Sequence, residues 1–160
     1  MAIRRATVAD LPVVERVYRE FYEGVLGMAP GDYLWSEARF TRLVEEDSIF
    51  LDDDDNMCHV RRKGDAIPTV ILPAAVRRSI GARLVDAAAR DLLDRHPEMA
   101  DLPMVGTAYD SGQQGREMLH GFKGLYPGVA VGWNPDDPDT AQAHLSLRRV
   151  VEAADGRGRP

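Results

Sequence analysis

Apolar residues recur near the start of the chain at Leu11, Val14, Val17, Tyr18, Phe21, Tyr22 and Val25. Three-and-four spacing of this kind predicts a helix with one buried face. Thr7 or Asp10 is placed to cap it, and Pro12 falls in its first turn, where a missing N–H costs little. Ala2–Ala6 ahead of it reads as a short strand. Gly27 to Gly31, with Pro30, breaks the pattern, and a second helix is expected from about Tyr33 to Glu46 on Trp35, Phe40, Leu43 and Val44. The pattern then changes. Ser48–Leu51, Met57–Arg62 and Ile67–Leu72 are short runs separated by the polar turns Asp52–Asn56 and Lys63–Asp65, which predicts an antiparallel meander.

Helical spacing returns after Gly81 with Leu84, Val85, Ala88, Ala89, Leu92 and Leu93, ending near His96-Pro97. Met104–Tyr109 follows as a strand, so a strand–helix–strand unit is complete and its two strands should run parallel. Gly112–Gly121 reads as a short helix. Gly128–Trp133 and Ala141–Val151 read as a closing antiparallel pair across the turn Asn134–Asp139, and Asp155–Pro160 as a polar tail. The expectation is a single domain over residues 1–154, of α/β class with a mixed sheet of α+β character.

Composition narrows the function classes. The chain has 160 residues, 44% of them hydrophobic and 29% charged, with a net charge of −6. These are the proportions of a globular domain, and the acidic balance disfavours broad binding of nucleic acid or anionic membrane. An acidic protein also accepts a cationic partner such as an amine. Cys58 is the one cysteine, so an intrachain disulfide and a cysteine metal cage are both excluded. Neither an apolar leader nor a run of membrane-spanning length is visible, and the expected compartment is the cytoplasm. The sequence is compatible with a homodimer.

The chemistry concentrates at Pro73–Leu84. An apolar strand ends at Pro73, a small-residue turn carries Arg77 and Arg78, and a helix begins at about Ile80. Free turn amides, a helix N-terminus and two guanidinium groups together favour a bound phosphate. A plain strand-to-helix connection with solvated arginines accounts for the same residues. Elsewhere, His59 on the middle meander strand has the ordinary titration range of a general base, or it is a structural histidine. The acidic cluster Asp52–Asp55 is a second base candidate, or a solvated turn. Cys58 and His59, adjacent on a strand, should point to opposite faces and not form a nucleophile pair. Glu45, Glu46 and Asp47 close the second helix, either as a solvated end or to neutralise a cationic substrate.

Three stretches carry a family resemblance. Ile3–Asp10 looks like the usual first strand and helix entry of the GNAT superfamily of acyl-CoA-dependent N-acyltransferases. Pro73-x-x-x-x-Arg78-x-Ile80-Gly81-x-x-Leu84 is similar to that family's acyl-CoA loop, with Val76 at its usual Arg/Gln position and Ser79 at its first glycine. His120-Gly121-Phe122 matches the Gly-Phe that follows the family's last helix. The order of predicted elements agrees over nearly the whole chain.

The resemblance implies an N-acyltransferase that moves an acetyl or similar acyl group from acetyl-CoA, or a related acyl-CoA, to a small-molecule or protein amine. Transfer would be direct, in a ternary complex, with no metal. It implies that Ile71 and Leu72 pair with the pantetheine arm through their backbone. Arg77, Arg78, Ser79, Ile80, Gly81 and Ala82 would hold the pyrophosphate, and Asp110 would accept a hydrogen bond from a pantetheine amide. The family's general-acid tyrosine falls on Glu117, and Tyr109 and Tyr126 are the neighbouring hydroxyls that could protonate the leaving thiolate. Two alternatives stand beside this reading: a protein of the same fold that binds CoA or serves as an interaction module without catalysis, and an enzyme of the same fold that modifies a nucleobase, for which Arg61, Arg62 and Lys63 are local basic residues.

Overall fold

The structure, a computed structural model, describes residues 2–30, 32, 36–72, 78–109, 120–134 and 137–158, with backbone alone for 25, 71–72, 78–80, 107–109, 133–134, 137–141 and 158. Strand β1 (Ile3–Arg5) leads through a 3-10 turn (Val8–Asp10) into α1 (Leu11–Glu20). The entry is fixed by Asp10. Its carboxylate accepts from the Thr7 backbone N–H at 2.8 Å and takes both Arg4 Nη atoms at 2.6 and 2.7 Å. With Arg4 held against it, the Asp10 carboxyl is lowered to about 2. α1 passes into a widened π turn (Phe21–Val25), closed by Leu26 N–H donating to Phe21 O. α2 spans Glu37–Glu46, later than the sequence suggested, because Ser36 accepts from Arg39 N–H and sets the N-terminus there. Tyr33 and Trp35 lie outside the described residues.

The meander β2 (Ser48–Asp52), β3 (Met57–Val60) and β4 (Ile67–Leu72) follows, then α3 (Arg78–Arg95), a 3-10 turn (Pro97–Met99) and β5 (Pro103–Tyr109). The Asp52–Asn56 turn explains the acidic run. Buried Asp52 accepts from the backbone N–H of Asp54 and Asn56, each at 2.9 Å, and Asp55 adopts φ 61°. Asp53 takes the Ala2 N–H, and Asp55 pairs with Arg16. Asp52, Asp53 and Asp55 of the cluster proposed as a base are thus engaged in holding their own hairpin and the neighbouring elements. A helical segment, α4, is described over residues 120–125; the earlier part of the predicted 112–121 helix lies outside the described residues.

β6 (Ala130–Asn134), β7 (Asp137–Ser146) and α5 (Leu147–Gly158) complete the chain. Residues 147–151 were expected to extend the last strand and 155–160 to form a tail; the structure places 147–158 in a helix. Ser146 Oγ accepts from Arg149 N–H at 3.4 Å, and Leu147, Val150 and Val151 bury one helical face.

Among the described residues the sheet has seven strands in the order β1-β2-β3-β4-β5-β7-β6, and β4–β5 is its one parallel pair. Alternation along β2 and β3 separates two cores. Cys58 and Val60 face α3 and α5 with Leu84, Ala88, Leu147 and Val150. Ile49, Leu51 and Met57 face α1 and α2 with Val14, Tyr18, Phe40 and Val44. Burial of these side chains at about 1.5–3 kcal/mol each is what holds the helices to the two faces.

The parallel pair is short. Its register runs Ile67–Thr69 against Met104–Gly106, yet β4 continues to Leu72 and β5 to Tyr109. Among the described residues the strands do not pair beyond Thr69 and Gly106, so the sheet splits between them.

Candidate functional site

His59 sits on β3 opposite Ile49 and Val70, on the α1/α2 face. The side chain is 6% exposed, and both ring nitrogens are engaged. Nδ1 meets the Tyr18 hydroxyl from α1, and Nε2 lies 2.8 Å from Asp47 Oδ2. Burial pushes the Tyr18 hydroxyl well above the usual phenol range, so it keeps its proton and donates to Nδ1. Nε2 then carries the proton and donates to the Asp47 carboxylate. The result is a Tyr–His–Asp chain in which a carboxylate orients an imidazole and a hydroxyl covers its acceptor nitrogen.

Asp47 is placed by its neighbours. It is the C-cap of α2, and Arg5 Nη2 donates to the carbonyls of Glu45 and Asp47 at 3.3 and 3.2 Å. Arg95 of α3 donates to the Glu46 carbonyl at 3.2 Å and to Ser48 Oγ at 2.7 Å. Asp47 therefore serves His59 and is not a free charge for a cationic substrate; Glu45 and Glu46 are exposed.

A cavity of about 330 Å³ opens beside this chain. Its walls are Tyr18, Phe21 and Tyr22 from α1 and the π turn, Phe40 and Leu43 from α2, Leu26, and Pro68 and Val70 from β4. The rings of Tyr18 and Phe40 are 5.5 Å apart, and those of Tyr18 and Tyr22 5.8 Å. Arg39 joins from α2. His59, Arg61 and Lys63 line the cavity at alternate positions, the period that sends side chains to one face of an extended chain. Among the described residues no Asp or Glu contributes to the lining.

The cavity and the split in the sheet meet on β4. Val70 lines the cavity, and Ile71 follows it. The Pro68 carbonyl accepts from Arg61 N–H across β3–β4 at 3.3 Å. Backbone groups alternate sides along a strand, so those of Val70 also turn toward β3 and those of Ile71 toward β5. At Ile71 the β5 side is the split, and its N–H and C=O lack a strand partner there among the described residues. An extended chain of amides fits such an edge, as a further strand would. α3 begins at Arg78, so Arg78, Ser79, Ile80, Gly81 and Ala82 form its first turns, with Gly81 and Ala82 buried. Arg77, Asp110 and Glu117 lie outside the described residues.

Two sequence candidates fall on the other face. The Tyr126 hydroxyl donates to Asp86 Oδ1 at 2.6 Å, and Arg157 of α5 lies 4.8 Å above its ring while bonding Asp86 Oδ2 at 2.6 Å. Tyr126 is 4% exposed within the α3/α5 core, and His59 is in the opposite one. The structure does not bring the two together. Cys58 is wholly buried beside Tyr126's core, and burial raises its thiol, as expected for a residue pointing away from His59. Tyr109 ends β5 opposite Thr140.

No protein-family model matches the sequence, and no curated protein matches it. Solved structures do. YncA of Salmonella typhimurium, solved with its cofactor acetyl-CoA, aligns with a TM-score of 0.62 at 14% identity, over 92% of this chain and 94% of that one. A GNAT superfamily phosphinothricin acetyltransferase from Sinorhizobium meliloti, in complex with acetyl-CoA, aligns at 0.58 and 17% identity, over 91% and 88%. The chain has the GNAT fold. PaiA N-acetyltransferase of Thermoplasma acidophilum, in complex with coenzyme A, aligns at 0.56 and 12% identity, over 91% and 98%. The split between β4 and β5 and the helix that opens after β4 thus belong to a GNAT-type sheet. Among the described residues no helix is long and apolar enough to cross a membrane, and no cluster of His, Cys, Asp and Glu is disposed to hold a metal ion.

Proposed function

We propose that the protein is an N-acyltransferase that moves an acetyl or similar acyl group from an acyl-CoA to an amine by direct transfer. The observation that carries this reading is the unpaired Ile71 edge in the split of a GNAT-fold sheet, one residue from a cavity that holds a buried histidine. Bound acyl-CoA supplies an acyl group activated as a thioester. The Ile71 and Leu72 backbone is proposed to hold the amide arm, with Asp110 accepting from one of its N–H groups. Arg77, with Arg78 to Ala82 at the start of α3, is proposed to hold the pyrophosphate through backbone N–H groups and positive charge.

The amine must lose a proton to attack a carbonyl carbon. Tyr18 lines the cavity and its hydroxyl meets His59 Nδ1, so the hydroxyl can accept a proton from the amine as it passes its own to Nδ1. Asp47 stabilises the imidazolium that results. Tyr109, the last residue of β5, is the proposed hydroxyl for the departing thiolate. With the Cys58 thiol buried in the other core, the cysteine takes no part and the acyl group passes straight to the amine.

Calorimetric and thermal-shift titrations with acetyl-CoA test the first half of this reading. At a concentration 100 times Kd, binding to the native state alone adds about 2.7 kcal/mol of stability. No shift at millimolar acetyl-CoA would overturn the assignment. Amine-dependent release of free thiol tests the second half; CoA binding without thiol release for any amine would make the protein a CoA-binding module.

A further inference from the structure

The cavity beside His59 has an uneven charge. Arg39, Arg61 and Lys63 line it, and among the described residues no carboxylate does. Elsewhere, Arg4, Arg16, Arg90, Arg95 and Arg157 each pair with an aspartate. Among the described residues Arg39, Arg61 and Lys63 have no ion-pair partner. This is a local excess of cations in a chain of net charge −6, so it cannot be a by-product of overall composition. Arg61 is also close enough to Tyr18 for its charge to act on the hydroxyl, which sets an anion-binding group next to the proposed proton path.

Apart from His59, the remaining described lining is apolar and aromatic, and Leu26 is 40% exposed. A simple cationic amine would meet like charge at the mouth and gain nothing from three unpaired cations. A cavity of about 330 Å³ lies at the small end of ligand pockets, which span about 300–1,000 Å³, and suits a metabolite.

We infer that the acyl acceptor is an anionic amine of amino-acid type. Its carboxylate would be held by Arg39, Arg61 and Lys63, its apolar or aromatic side chain would lie against Tyr22, Phe40 and Leu26, and its amine would be directed to Tyr18. The inference rests on the acyl-transfer reading for the fate of the amine but not for the binding of the carboxylate. It runs against the alternative raised for the acidic α2 end, that these residues neutralise a cationic substrate, and agrees with a solvated helix end.

The test compares acceptors that differ in the carboxylate: phenylalanine against phenylalaninamide and phenethylamine, and leucine against isoamylamine. Thiol release gives kcat/KM for each, and calorimetry without acyl-CoA gives the binding of each. Carboxylated members are expected to be favoured about 100-fold, because charge-assisted hydrogen bonds are the stronger class. Arg61→Gln and Arg39→Gln should each raise KM for phenylalanine about tenfold, leave KM for acetyl-CoA in place, and together bring the preference close to unity. Arg61→Lys should recover most of it and guards against a folding defect.

Equal or better use of the uncharged acceptors, or a preference that survives in the double variant, overturns the inference. So does a rise in KM confined to acetyl-CoA, which would assign the cations to the nucleotide. Acetylation of amines without regard to the carboxylate removes the inference and leaves the acyltransferase standing. Arg61-dependent binding of phenylalanine without any thiol release does the reverse.

Discussion

Tyr18→Phe separates a proton path from a packing contact. The substitution removes one oxygen and keeps the ring, so the contacts with Tyr22 and Phe40 at 5.8 and 5.5 Å persist. What is lost is the donor to His59 Nδ1, between side chains of residues 7% and 5% exposed. An unsatisfied buried acceptor costs about 1–3 kcal/mol. His59 borders the cavity, and water there can approach Nδ1, which selects the low end, about 1 kcal/mol. In a chain of this length that lowers Tm by about 2–4 °C. If the hydroxyl relays the amine proton, kcat should fall by about 100-fold, far more than the stability change explains. The assay is thiol release at saturating substrates, well below the Tm of the variant, beside a thermal melt. A variant with the expected Tm and an unchanged kcat would refute the relay and leave His59 a structural residue.

Other expectations follow from single contacts. Asp10 is lowered from 3.8 to about 2, so its folded carboxyl holds its charge where the unfolded one does not. That stabilises the native state above about pH 4 and is lost as pH falls toward 2; allowing for solvent around Arg4, it is about 1 kcal/mol. Asp10→Asn should flatten this part of a urea-denaturation pH profile, and an unchanged slope would remove the assignment. Tyr126→Phe should lower stability by about 1–2 kcal/mol through the lost bond to Asp86 and leave kcat intact; a large fall in kcat would restore Tyr126 as an acid. Gly81→Asp puts a carboxylate in the first turn of α3 and should abolish CoA binding by calorimetry, where Gly81→Ala serves as the folding control. Equal CoA affinity in both would place the pyrophosphate elsewhere.

The sheet and its main helices were legible because period two and period three-and-four are strong where side chains face a core. β2 to β5, α1 and α3 all follow that rule. α5 was misread because Leu145, Leu147 and Val151 suit an alternating strand as well as a helix. The discriminating signs were Ser146 as a cap and Val150 beside Val151 at helical spacing from Leu147. The site was legible in part. His59 stood out as a titratable residue on a strand, but Tyr18 looked like core and Asp47 like a helix end. Both descriptions are accurate locally. Their chemistry arises from register: the β2–β3 pairing of Ser48 with Val60 and Ile49 with His59 brings the end of α2 beside the imidazole, and α1 descends onto it. The alternation of His59, Arg61 and Lys63 was the available sign of a basic wall, and the turn-like appearance of Lys63-Gly64-Asp65 hid it.

The sheet behaves as two plates joined by a narrow seam. One plate is β1–β4 and the other is β5, β7 and β6, and the seam is the register of Ile67–Thr69 with Met104–Gly106. Helices α3 and α5 bridge the plates on one side through a shared core. A ligand seated in the split would act as mortar, adding amide contacts where the plates part. Amide hydrogen exchange should register this directly: the Ile71 N–H, in the middle of a seven-stranded sheet, should exchange like an edge amide in the free protein and become protected when acyl-CoA enters.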